Sequence, residues 1–228
     1  MYNSMSKGLS GNQLKIIAAL AMTVDHLGVM LFPDVLILRI IGRIALPIFA
    51  YMIAEGCVHT KNRVRYALTL FAVALLCQVV YFVAMRSLKQ CILVTFLMSV
   101  LLIFSYDRAT KKRCFVTTSV FVAALIAVFV ICEVIPIYVK DFSVDYGFFG
   151  AILPFLIYTG RTKNEKFLRL AIGLLLITLV LNGVQGYSML AIIPIYHYNG
   201  KRGSMRMKYF FYIYYPLHLG VIYLISML

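Results

Sequence analysis

An aspartate and a histidine, Asp25 and His26, stand side by side inside the apolar stretch 14–32. A carboxylate beside an imidazole can raise the basicity of the ring, and a histidine in a water-poor site can act as a general base at neutral pH. The plainer interpretation is a polar pair that joins helices, although asparagine or serine would do this at lower cost. An ionisable residue inside a membrane is by default a functional hypothesis, so we predict His26 and Asp25 as catalytic residues.

Two arginines follow in the next apolar stretch, 35–57, at Arg39 and Arg43. Their spacing of four residues places both on one face of a helix. One interpretation is a buried ionic network, with partners among Asp25, Asp34 and Asp145. The other is a substrate site, because a planar guanidinium suits bidentate contacts with an anionic or carbonyl-bearing group. Both interpretations can hold together, since a network can position a ligand.

Further polar residues interrupt the apolar segments at separate points. Glu55 lies near the expected inner end of the second segment, and His218 lies near the middle of the last one, two residues after Pro216. Asp145 and Tyr146 precede Gly147, where a surface turn leading into a helix explains them about as well as a binding role does. We include these four residues as candidate substrate-binding residues.

Composition places the chain in a membrane. Of its 228 residues, 63% are hydrophobic and only 13% are charged, whereas soluble domains carry about 25% charged residues. The net charge of +14 raises nucleic acid as a partner. However, the basic residues sit in short loops between apolar segments, which the positive-inside rule explains more simply. We therefore expect no nucleic-acid partner.

Apolar segments of about 20 residues predict membrane-spanning helices. We predict an all-α bundle of about nine of them in one domain over residues 1–228, at 14–32, 35–57, 66–85, 91–106, 115–135, 146–159, 167–184, 186–198 and 209–227. The segments 146–159 and 186–198 are short, which is typical of half-helices or re-entrant segments. With the N-terminus inside and the C-terminus outside, 17 of the 22 lysines and arginines fall on the inner side.

The cysteines and the missing motifs narrow the chemistry. Five widely spaced cysteines without a C-x-x-C predict neither a disulfide framework nor a zinc site. The sequence also lacks G-x-x-x-x-G-K-[ST], G-x-G-x-x-G, G-x-S-x-G and H-E-x-x-H motifs. Nucleotide-driven and metal-dependent chemistry therefore has no support, and we expect no metal.

Several segments together resemble the TraX family in order and spacing. They are LKIIAALAMTVDH, LRIIGRIALPIFAYMIAEG with HTKNRVRY, VDYGFFGAILPFLIY and KYFFYIYYPLHL, which cover most of the chain from Leu14 to Leu219. TraX proteins are inner-membrane enzymes linked to N-terminal acetylation of conjugative pilin. They are also similar to membrane acyltransferases that use an intramembrane histidine and cytosolic acyl-CoA. Within residues 86–140, Thr95 is the main position that the resemblance covers, and we add it to the candidate binding residues.

The resemblance implies a multi-pass acyltransferase of the inner, cytoplasmic membrane, surrounded by lipid. Acetyl-CoA would be the acyl donor from the cytosol, and an amine or hydroxyl acceptor would enter from the outer face. The acceptor would be a pilin N-terminus or another envelope molecule. His26 would deprotonate the acceptor directly, or carry the acyl group transiently. The alternative is a small proton-coupled transporter with Asp25, His26, Arg39 and Arg43 as relay and gate.

Overall fold

In the computed structural model, the regular secondary structure of the described residues is helical, apart from two isolated backbone bridges. The structure describes residues 8–204 and 207–227. At positions 84, 85, 208, 209 and 212 it describes only the backbone. In chain order the helices are α1 (Gly11–Met30), α2 (Leu36–Gly42), α3 (Ala45–His59), α4 (Arg63–Met85), α5 (Ile92–Lys112), α6 (Phe115–Phe129), a π-helical turn (Val130–Val134), α7 (Ile135–Tyr138), α8 (Gly147–Thr159), α9 (Lys163–Leu181), a 3₁₀-helix (Gly183–Ala191), α10 (Ile192–Tyr196) and α11 (Lys208–Ser226). The all-α prediction is confirmed.

Among the residues that the structure describes, five helical stretches are long and apolar enough to cross a membrane. They are Gly11–Met30, Leu36–His59, Arg63–Val83, Ile92–Lys112 and Phe115–Tyr138. The apolar helices Gly147–Thr159 and Ile213–Ser226 are shorter. Helix α9 is long, but four charged residues stand in its first two turns. These stretches support a multi-pass membrane protein, and the number nine stays a prediction.

The predicted second helix is broken between α2 and α3. Arg43 is the C-terminal cap of α2, and α3 begins at Ala45. Pro47 explains the break, because it has no N–H to donate to the carbonyl of Arg43 and its ring would clash with that group. The break gives Arg43 a helix-end position that periodicity alone does not predict.

Two other helices also differ from a regular α-helix near prolines. The predicted helix 115–135 continues to Tyr138 through the π-helical turn, which stands just before Pro136. The predicted segment 186–198 is a 3₁₀-helix followed by the single turn of α10. The 3₁₀-helix begins at Gly183, directly after Asn182, and these two residues have positive φ angles of 59° and 54° where α9 has ended. The predicted short segment 146–159 is confirmed as α8, which at 13 residues is about 20 Å long.

The chain divides into two compact units. Met1–Met52 with Asn182–Leu228 form one, called here the terminal unit, and Ile53–Leu181 form the other, the central unit. In the terminal unit, α2 and α11 pack against α1, and the 3₁₀-helix packs against α2. In the central unit, α5 packs against α4, α6 and α8, and α8 packs against α9. One domain over 1–228 remains a prediction.

Two local features stabilise the arrangement of α1 in the terminal unit: the cap at its N-terminus and its close contact with α2. Ser10 and Gln13 form a reciprocal capping box, which satisfies backbone donors at the helix start. Further along, Gly42 lies directly against the side chain of Asp25, and a Cβ at position 42 would overlap the carboxylate. This close approach brings the ionisable residues of α1 and α2 together.

Candidate active site

The carboxylate of Asp25 is the common partner of both arginines. Its Oδ1 lies 2.5 Å from Nη2 of Arg43 and 2.8 Å from Nη1 of Arg39. The side chains are only partly accessible, with 16% of Asp25, 9% of Arg43 and 27% of Arg39 exposed. Of the three partners considered from the sequence, Asp25 therefore contacts both arginines, whereas Asp34 is exposed.

The two arginines differ in what remains available for a ligand. Each guanidinium nitrogen of Arg43 has a partner, because Nε donates to the Arg39 carbonyl at 3.2 Å and Nη1 donates to Oε1 of Gln185 at 3.2 Å. Arg39 uses only Nη1, which contacts the carboxylate and the backbone carbonyl of Asp25. Its other two nitrogens make no hydrogen bond with the residues that the structure describes. Arg43 is thus a structural arginine, while Arg39 has an edge open to an anion.

The second half of the site is a pair of histidines from α1 and α11. Nε2 of His218 lies 3.0 Å from Nδ1 of His26, and the ring centroids are 5.0 Å apart. The His218 ring stacks on Tyr214 and meets the edge of Tyr215. The Tyr214 hydroxyl also lies 2.5 Å from the hydroxyl of Thr23 on α1. These contacts hold the His218 ring in one orientation against His26.

The hydrogen bonds determine which nitrogen of neutral His26 carries the lone pair. Nδ1 of His218 lies 2.9 Å from the backbone oxygen of Tyr214, and because a carbonyl only accepts, this nitrogen bears a proton. The Nε2 of a neutral His218 is then an acceptor, so the proton in the contact between the rings belongs to Nδ1 of His26. Neutral His26 therefore has its lone pair on Nε2, as a general base or a nucleophile requires.

The predicted coupling of Asp25 to His26 takes a different form. The side chain that His26 contacts by a hydrogen bond is His218, while the Asp25 carboxylate pairs with Arg39 and Arg43. Both arginines are near enough to act electrostatically on the His26 ring. The structure thus brings Asp25, His26, Arg39, Arg43 and His218 together, and it gives Asp25 the arrangement of a residue that positions the arginines.

The remaining candidates lie in the central unit, where each has local contacts. Glu55 accepts from Nζ of Lys166 at 2.6 Å. The fully buried Thr95 donates to the backbone oxygen of Asp145 at 2.9 Å. Tyr146 has a φ of 61° and caps the start of α8, which agrees with the predicted turn. These contacts are structural, and a binding role for the four residues stays a prediction.

Two polar residues on the 3₁₀-helix, which packs against α2, were not among the candidates from the sequence. Gln185 and Ser188, on the 3₁₀-helix, are 3% and 0% exposed. Nε2 of Gln185 and Oγ of Ser188 are buried without a hydrogen-bond partner among the described residues. A buried polar group left unpaired costs about 1–3 kcal/mol. In the sequence, these two residues are marked only by their spacing of three within a glycine-containing apolar segment. This spacing indicates a shared face only once the segment is known to be a 3₁₀-helix.

Known proteins resemble the chain over most of its length. The family model described as TraX protein matches residues 10–226. "Probable fimbrial assembly protein FimC, serogroup H1" from Dichelobacter nodosus is 25% identical over 230 residues, covering 93% of this chain and 94% of the relative. "Uncharacterized protein RP591" from Rickettsia prowazekii (strain Madrid E) is 55% identical over 38 residues, covering 17% of this chain and 15% of the relative. No solved structure matches. The family match confirms the resemblance in the motifs: the chain belongs to the TraX family.

Proposed function

We propose that the protein is a membrane acyltransferase that moves an acetyl group from acetyl-CoA to an amine or hydroxyl acceptor. The observation that supports this most strongly is the contact between His26 and His218. It leaves the lone pair of neutral His26 on Nε2, beside a cluster of charge that includes Arg39. A positioned base of this kind contributes typically about 10²–10⁴-fold to a rate.

In the proposed reaction, Nε2 of His26 takes a proton from the acceptor as the acceptor atom attacks the thioester carbon. The C–O π electrons move to oxygen and form a tetrahedral oxyanion. When this collapses, the C–S bond breaks and CoA leaves as a thiolate, which receives the proton from His26. The products are the acetylated acceptor, CoA and neutral His26. A transient acyl-histidine would use the same lone pair and stays open.

The ionic cluster has a positioning role in this proposal. Asp25 and Arg43 hold each other, and Arg43 ends α2 at the turn that presents Arg39. Arg39 then supplies positive charge to the reacting groups, because its guanidinium is only partly used by Asp25. The sequence left open whether Arg39 and Arg43 form an ionic network or bind the substrate, and this proposal assigns the network to Arg43 and the substrate to Arg39.

The charge of the central unit supports cytosolic access for acetyl-CoA. Its connections 59–63, 112–115 and 159–163 carry the exposed basic residues Lys61, Arg113, Arg161 and Lys163 at one end. Basic loops face the cytoplasm in membrane proteins and can attract the phosphates of CoA. We therefore propose nine crossings of the inner membrane, with the N-terminus inside and the C-terminus outside.

The acceptor is proposed from the relatives. The Dichelobacter relative is named as a probable fimbrial assembly protein, which favours a pilin N-terminus or another envelope molecule as the acceptor. Mass spectrometry of envelope molecules from cells with and without the protein would identify an acetyl group that depends on it.

The test of the activity uses purified protein and acetyl-CoA labelled in the acetyl group. Release of CoA with transfer of label to a peptide bearing a free N-terminus supports the acyltransferase. Uptake of label into proteoliposomes without release of CoA would instead support the transporter. His26→Ala is the matched variant, and it should abolish CoA release while the protein remains folded.

A further inference from the structure

The 3₁₀-helix of the terminal unit carries two buried polar groups that none of the described residues satisfies. Nε2 of Gln185 and Oγ of Ser188 have no hydrogen-bond partner among the described residues. A 3₁₀-helix has three residues per turn, so positions 185 and 188 lie above one another on the same face. The two groups therefore form one polar surface within an apolar setting.

The amide of Gln185 is oriented by Arg43. Nη1 of Arg43 donates to Oε1 of Gln185 at 3.2 Å, and a guanidinium has no acceptor, so this amide atom must be the oxygen. The other end of the amide is then an NH₂ group, which can only donate. Ser188 adds a hydroxyl, which can also donate. The surface thus offers two donors, and a ligand atom that suits both is an acceptor oxygen.

Arg43 connects this surface to the proposed site. The same guanidinium binds Asp25, next to His26 in the chain, and Gln185 on the 3₁₀-helix. We infer that Gln185 and Ser188 bind the carbonyl oxygen of the acetyl thioester and donate hydrogen bonds to the oxyanion that forms from it. This inference rests on the proposed acyl transfer, and it adds neutral donors to the charge that Arg39 supplies.

Two variants distinguish ligand binding by Gln185 and Ser188 from a purely structural role of these residues. Gln185→Glu keeps the oxygen that Arg43 binds and replaces the donor NH₂ with a second acceptor. Ser188→Ala removes the hydroxyl and leaves the packing almost unchanged. Gln78→Glu and Ser99→Ala are the matched controls, since Gln78 is satisfied by the backbone at Lys89 and Cys91, and the fully buried Ser99 donates to a backbone carbonyl at 2.6 Å.

The experiment measures thermal unfolding of the full-length protein in detergent with acetyl-CoA and with CoA, which lacks the carbonyl. For the wild type we expect acetyl-CoA to raise the melting temperature more than CoA does. In Ser188→Ala and Gln185→Glu this difference should vanish while the shift with CoA remains. Turnover should fall about 10²–10³-fold, as expected for loss of one oxyanion donor. Gln78→Glu and Ser99→Ala should keep the difference.

Each contrary outcome has one meaning. Equal shifts with the two ligands in the wild type, or a difference that survives in Ser188→Ala, would overturn the inference and leave the acyltransferase standing. Ser188→Ala should also leave the melting temperature without ligand unchanged or higher, whereas Ser99→Ala should lower it. An equal loss in both would show that Ser188 is satisfied within the protein and would overturn the inference. No shift with either ligand, together with no CoA release, would refute the acyl transfer itself.

Discussion

Replacing Arg43 by lysine keeps the charge but should damage the protein. The guanidinium makes contacts with Asp25, the Arg39 carbonyl and Gln185 through three different nitrogens. A lysine ammonium at the same place can retain the contact with Asp25 but not all three. A hydrogen bond to a charged group contributes about 1.5–3 kcal/mol, so the loss of two corresponds to about 3–6 kcal/mol. For a chain of this size we expect the melting temperature to fall by at least about 6 °C.

The assay is thermal unfolding in detergent, followed by turnover on the same preparation. Arg63→Lys is the matched control, because Arg63 pairs with Asp107 in the central unit while 37% of its side chain is exposed. Partly exposed pairs contribute about 0–1 kcal/mol, so this variant should lose less than about 4 °C. Equal losses in the two variants, with full turnover for Arg43→Lys, would refute the structural role assigned to Arg43.

Three other predictions address the histidines, the helix contact and the orientation. His26→Ala should retain the melting temperature and CoA binding but lose transfer, whereas His218→Ala should lose less; a destabilised but active His26→Ala would end the catalytic assignment. Gly42→Ala should cost about 1–3 kcal/mol through overlap with the neighbouring carboxylate, while Gly220→Ala, with open space around its Cβ, should unfold like the wild type. Cys114 is exposed and the other four cysteines are buried. A threonine hydroxyl 3.2 Å away holds the pKa of the Cys114 thiol below its ordinary value. Labelling of Cys114 by a maleimide should therefore persist to lower pH than labelling of a free thiol. A membrane-impermeant maleimide should label it in inverted vesicles but not in intact cells.

The hydrophobic segments of the sequence predict the positions of the helices. They do not predict where tertiary contacts extend or interrupt a helix. The fourth predicted helix ends at residue 106, whereas α5 continues to Lys112. The extension contains Asp107, which binds Arg63 and accepts from the Tyr158 hydroxyl at 2.7 Å. These partners are distant in sequence, so a hydropathy pattern cannot register them. Pro47 and Pro136 can be read from the sequence. However, whether a proline breaks a helix or only changes its hydrogen-bond pattern locally depends on the packing around it.

The sequence predicted which residue types form the candidate site, but it predicted only some of the contacts between them. The sequence placed Arg39 and Arg43 on one helix face, with Asp25 among their possible partners and His26 next to Asp25. The depth of His218 also placed it near the middle of the membrane. However, which face of α11 meets α1 depends on side-chain packing such as the contact of Tyr214 with Thr23. The sequence therefore did not predict the side-chain partner of His26, which in the structure is His218.

The charges of the cluster do not cancel, and this favours a catalytic role over a purely structural one. Asp25 contributes one negative charge, whereas Arg39 and Arg43 contribute two positive charges. An arginine near the centre of a membrane helix costs about 2.5–3.5 kcal/mol, so a network that served only to join helices would be cheaper with one arginine. In the proposed reaction the acyl group becomes negative only after the acceptor attacks. The surplus positive charge is then compensated in the transition state and not in the ground state, and interactions of that kind accelerate the chemical step.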